Sequence, residues 1–203
     1  MEKVKRNPWS HQEEVQRVRR KTERTERGAV LVELAFVVIP LLLLSLGVAD
    51  IGFAWRDAVV TQQAARAASR VLVVAGDDES ADRQALLSAI TILGTDQIDD
   101  IEYIAIYDAD NNGFPAACAT SSTATCNRYT PAELRSLDDT ARWGCGSGAY
   151  DSSWCPDRRT SNLEVPGHVG VQIKTNRGWV TGLLPGAVDI SGSTVMRLDP
   201  MGA

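Results

Sequence analysis

The chain has 203 residues, 44% of them hydrophobic, which is the length of one domain beyond a leader and an anchor and enough apolar material for a core. Residues 1–28 hold nine of the 21 Lys and Arg against five Glu, a net of +4, which leaves 12 basic and 21 acidic residues after Gly28, a net of −9. So acidic a body argues against nucleic-acid binding.

The basic leader, residues 1–28, has no apolar periodicity and Trp9 as its one large aromatic. Disorder is expected for its first half, with a short charged helix over residues 13–24. Next to an apolar run, the cluster Arg17 to Lys21 reads as a topology determinant and not as a nucleic-acid patch.

From Ala29 to Ala49 the chain holds 21 residues with a single charge, Glu33. As a helix this run reaches roughly 31 Å, enough to cross the hydrocarbon core of a bilayer. The positive-inside rule then places residues 1–28 in the cytoplasm and residues 50–203 outside it. Gly47-Val48-Ala49 resembles a signal-peptide cleavage site, but the run exceeds the roughly 7–15 residues of a signal-peptide core and carries Glu33 within it. Pro40, near the middle, is predicted to kink the helix or loosen a turn.

A basic leader, then Gly28, four small or apolar residues, Glu33 and the rest of an apolar helix resemble the processing site of type IV pilin precursors. The resemblance implies cleavage after Gly28 by a membrane peptidase, a new N-terminus at Ala29, and Glu33 as the acid in fifth place. Such a carboxylate can pair with the new amine, in the same subunit or a neighbour, at a depth where an unpaired charge is costly.

Beyond Asp50 the helical pattern continues, with Ala54, Ala58, Ala65, Ala68 and Leu72 near one face and Arg56, Gln63, Arg66 and Arg70 on others. One long helix is predicted over 29–75, ended by Gly76-Asp77-Asp78, and a second over 80–93 with Ser80 as N-cap. A strand is predicted over 98–107, with Ile101, Tyr103, Ala105 and Tyr107 on one face. The segment Asp108-Ala-Asp110-Asn-Asn112-Gly113 matches half of an EF-hand loop, but Ala119 stands where its bidentate Glu belongs. A hairpin turn at Asn112-Gly113 explains it without calcium.

Cys118, Cys126, Cys145 and Cys155 are an even set in a chain read as lying outside the cytoplasm. They argue for two disulfides that staple loops, neighbour with neighbour being the simplest of three connectivities. Their spacing fits neither a zinc knuckle nor a redox pair. Thr130-Pro131-Ala132-Glu133 is a capping box that opens a short helix to about Arg142, and residues 143–159 read as a surface excursion whose two tryptophans pack on the disulfide, the safer reading, or offer a binding surface. Strands are predicted over 168–175, 179–184 and 188–198, with a turn at Asn176-Arg177-Gly178. The plan is α+β, pilin-like, a long N-terminal helix packed on an antiparallel sheet.

The block Glu26 to Leu43, with Asp50-Ile-Gly-Phe-Ala-Trp55 downstream and Ser193-Thr-Val-Met-Arg-Leu-Asp-Pro200 near the end, resembles the TadE-like minor pseudopilins of tight-adherence (Tad, or Flp) pili. The resemblance implies a single-pass protein of the cytoplasmic membrane acting in pilus assembly. Its implied partners are a prepilin peptidase, other Tad pilins and minor pseudopilins, and the inner-membrane assembly platform. Leu34 and Ala35 stand where major pilins often carry an aromatic, which points away from the main filament subunit. With His11 and His168 the only histidines, and no nucleophile motif, phosphate loop or metal-ligand cluster, neither an enzyme nor a cofactor is expected. The competing readings are a signal-anchored external binding module unrelated to pili and, more remotely, a hydrolase released near Ala49.

Overall fold

A computed structural model of the chain describes residues 9–109, 113–159, 167–182 and 184–198, with side chains from Val30 onward. The chain divides into two compact units, Met1–Ala49 and Asp50–Ala203. Helix α1, Trp9–Ala75, runs through Pro40 without a break. It starts at Trp9 and not at Ala29, inside the stretch expected to be disordered. The sequence is compatible with this, since Glu13 and Arg17, and Glu23 and Arg27, have the four-residue spacing that favours a helix. In the first unit the apolar residues from Val30 to Leu46 are exposed.

The second unit is organised around the outer part of α1. Thr61, Ala64, Ala65, Ala68, Ser69 and Leu72 are buried, whereas Gln63, Arg66 and Arg70 face solvent, as the alanine stripe predicts. The helix stops at Gly76, whose φ of +61° suits glycine and whose N–H reaches the Leu72 carbonyl at 3.0 Å. Helix α2, Ala81–Leu93, buries Ala85, Leu86, Ala89, Ile90 and Leu93. Ser80 precedes it but does not cap it; its hydroxyl and N–H both donate to Asp78 Oδ1 at 2.7 Å.

Four strands form one antiparallel sheet in the order β2-β1-β3-β4: β1 Ile101–Asp108, β2 Cys126–Tyr129, β3 His168–Gly178 and β4 Ala187–Arg197. Four expectations are corrected here. Residues Thr95–Asp100 form a 3-10 turn, so β1 begins at Ile101. A register shift between Ile101 and Tyr103 then turns Ile101 to the main core with Ile104 and Ile106, while Tyr103, Ala105 and Tyr107 share the opposite face with Cys118 and Cys126. Residues 176–178 continue β3, where Asn176 pairs with Asp189, and residues 179–184 are a loop and not a strand. The hydrogen-bonding partner of the third predicted run is β3 itself, so Trp179 and its neighbours are left to connect the two strands.

The four-residue strand β2 was not predicted; its side chains are legible only against β1. Helix α3, Pro131–Leu134, is one turn long, because Arg135 to Asp138 form turns before a separate 3-10 turn at Thr140–Arg142. The capping box is present: Glu133 accepts from Thr130 N–H at 2.5 Å and from its hydroxyl at 2.8 Å. The readings placed on Asp110, Asn111 and Asn112 lie outside the described residues, as do Asp199 and Pro200.

Helix α1 crosses the sheet at Gly192 of β4. A Cβ there would stand 2.9 Å from the backbone of Thr61 and Gln62, so only glycine admits the helix this closely. Gln62 completes the contact by donating to the Ser193 carbonyl at 2.8 Å and accepting from its N–H at 3.2 Å. Gly192→Ala is expected to cost about 1–3 kcal/mol through overpacking, read as a lower urea midpoint; an unchanged midpoint would refute the contact.

Candidate functional site

The residues singled out at the processing segment all lie on α1. Gly28 is exposed, with nothing within 4 Å of where a Cβ would be, and Glu33 is exposed. Residues 29 and 33 are four apart on a helix, hence on one face, about 6 Å apart along the axis. Around and beyond them stand Val30, Leu31, Val32, Leu34, Phe36 and Val37, all exposed. The most apolar 18 residues of this helix have a mean hydropathy of 2.6, and none is buried. So long an apolar surface is not a soluble core; it is a candidate single membrane span.

The cysteines are joined neighbour to neighbour. Cys118 bonds Cys126, with Cα atoms 6.3 Å apart, and fastens the connection after β1 to the head of β2. Cys145 bonds Cys155, with Cα atoms 5.4 Å apart. Asp157 lies beside the second pair, but sulfurs joined to each other offer no thiolate to a metal.

What sequence reasoning missed is a buried polar cluster that the second disulfide holds down. Asp82 of α2 receives the Arg159 guanidinium through both its terminal nitrogens, at 2.5 and 2.6 Å, with both side chains buried. Asn127 of β2 donates to Asp82 Oδ2 at 2.9 Å and to the Trp154 carbonyl at 2.8 Å, and accepts from the Trp154 N–H at 2.8 Å. The Tyr129 phenol oxygen lies 2.6 Å from Asp82 Oδ2 and 2.7 Å from Asp151 Oδ1. Asp151 also accepts from the Gly144 N–H at 2.9 Å.

A phenol has one proton and stands between two carboxyl groups, so both contacts are satisfied when Asp151 holds a proton of its own. Charge leads to the same state, since Arg159 neutralises only one acid. Burial foremost, and then the Asp82 charge, push Asp151 up to about 7, against the lowering by Tyr129, Gly144 and Arg159. Burial and the two acids likewise hold the Tyr129 phenol well above its usual value. Residues 143–159, expected to be a surface excursion, therefore supply a buried acid, a buried cation and Trp143, which packs on Tyr129 at 5.6 Å between ring centroids. Trp154 packs under the Arg159 guanidinium at 4.3 Å. The only signal in the sequence was the pair of cysteines bracketing Asp151 and Trp154; nothing connects Asp82 to Arg159 except the fold. The cluster joins α2, β2 and the loop.

Residues 28–70 match the family model described as TadE-like protein. No curated protein and no solved structure matches the chain. The matched residues run from Gly28 through Glu33 and the apolar run to the buried alanine face of α1, and over them the chain is similar to that family.

Proposed function

We propose that the protein is a minor pseudopilin acting in the assembly of a Tad (Flp) type IV pilus, a structural part and not an enzyme. A prepilin peptidase cuts after Gly28, residues 29–49 hold the chain in the cytoplasmic membrane, and residues 50–203 form the domain outside it. The observation that carries this reading is the placement of Gly28 and Glu33 at the start of the unburied apolar part of α1, within residues that match the TadE-like family model. A TadE-like protein of such pili works with other Tad pilins, related minor pseudopilins and the inner-membrane assembly platform. After cleavage the Ala29 amine becomes a cation one helical turn from Glu33, and pairing the two removes an isolated charge from the edge of the membrane.

The test is mass spectrometry of the mature N-terminus from membranes of cells that carry the processing machinery. A chain beginning at Ala29 is expected. One beginning at Met1 would overturn processing and favour a plain signal anchor, and one beginning at Asp50 would make this a secreted domain.

A further inference from the structure

The loop between β3 and β4 is unusual for the tip of a hairpin. From Trp179 to Val188 it contains no charged residue, and two of its described apolar side chains are turned outward: Val180 is 59% exposed and Leu184 39%. Hairpin tips that meet only water are ordinarily built from polar residues, glycine and proline. The place of this one is set by Asp50. That carboxylate is buried and accepts from the Thr181 hydroxyl and, at 3.0 Å, from the Thr181 N–H. An acid is kept here to hold the loop, and it holds it at the first residue after the apolar run.

Helix α1 adds exposed apolar residues at the same level, on more than one of its faces. Ile51, Phe53 and Trp55 are exposed, Trp55 by 74%, and Phe53 lies along a cleft shared with Trp179 and Val180. They follow Asp50 by one, three and five residues, which at 1.5 Å per residue is within about 7.5 Å along the axis. The interfacial layer on each side of a bilayer is about 5–8 Å deep, and exposed Trp with aliphatic neighbours is the composition that settles there.

We infer that this belt of residues, Ile51, Phe53 and Trp55 around α1 with Val180 and Leu184 of the loop, is seated in the lipid headgroup layer, so that the domain rests on the membrane through a second element besides its span. The inference depends on reading residues 29–49 as the span. A bilayer is the occupant the chain itself supplies: the patch begins at the residue that follows the apolar run, and the loop is tied to that residue. The seat would restrict how far the domain can tilt from the membrane before a subunit is drawn out of it.

The full chain, reconstituted in phosphatidylcholine vesicles brominated either near the headgroup or near the bilayer centre, tests this, with alkaline extraction verifying insertion of the span. Subtracting the emission of Trp55→Phe and of Trp179→Phe variants isolates those two tryptophans. Shallow bromines are expected to quench them more than deep ones, and Val180→Asp with Leu184→Asp, both at exposed positions, should lose that quenching. An inserted chain whose Trp55 and Trp179 are quenched by aqueous acrylamide and by neither lipid overturns the seat while leaving the span. Release at alkaline pH overturns both. Shielding from acrylamide that disappears on dilution below one chain per vesicle would assign the patch to a second copy and overturn the lipid seat.

Discussion

Asp82→Ala is expected to destabilise the unit Asp50–Ala203 by about 3–5 kcal/mol, the range for removing one partner of a buried ion pair. Both side chains are out of water, so the substitution leaves the Arg159 cation with no carboxylate and strands donors from Asn127 and Tyr129 in the same space. With a total stability of about 5–15 kcal/mol for a domain, such a loss takes much of the reserve. Urea unfolding under oxidising conditions, followed by tryptophan emission, measures it, because Trp143 and Trp154 both border the cluster. A loss under about 1 kcal/mol would mean that the pair is hydrated or exchanges partners. Replacing both members, Asp82→Leu with Arg159→Met, should recover part of the loss, since no lone charge is then left inside.

Asp151 has a different signature, a dependence on pH. Its carboxyl is raised to about 7 in the folded chain from 3.8 in the open one, so the folded state holds the proton more tightly. Its contribution to stability is complete below about pH 4, declines as pH rises toward 7, and is level above that. About three pH units at about 1.4 kcal/mol each set an upper bound of about 4 kcal/mol. Asp151→Asn keeps an acceptor for the Gly144 N–H and a donor for the Tyr129 oxygen without an ionisable proton. The variant and the parent should therefore agree in acid and diverge as pH rises, the variant becoming the more stable. Subtracting the two curves cancels the other titrating groups, and a difference that is flat from pH 4 to 8 would show that Asp151 is ionised throughout.

Legibility in the sequence followed the range of the interaction. Gly28, Glu33 and the apolar run are read from neighbours along one helix, and so are the alanine face and the turn at Gly76. Strand boundaries were less legible because a pairing partner decides them. Residues 179–184 have strand composition, yet β3 continues to Gly178 and β4 takes its register from Ala187, which leaves the apolar run as a loop. Similarly, Ile101 alternates correctly with Tyr103 in sequence, but a register shift against β3 sends them to opposite faces.

Asp82, Asn127, Tyr129, Asp151 and Arg159 are spread over three separate segments, and each alone reads as an ordinary surface residue. Burial turns them into one charge-balanced unit, and only the packing of α2 and the disulfide loop against β2 decides which acid meets the cation and which keeps a proton. The sequence by itself determined the membrane-length helix and the α+β plan, because periodicity, charge and composition act locally. Tertiary structure alone decided the cysteine partners, the buried cluster and the tie from Asp50 to Thr181, because these are energies of groups brought together out of water from distant parts of the chain.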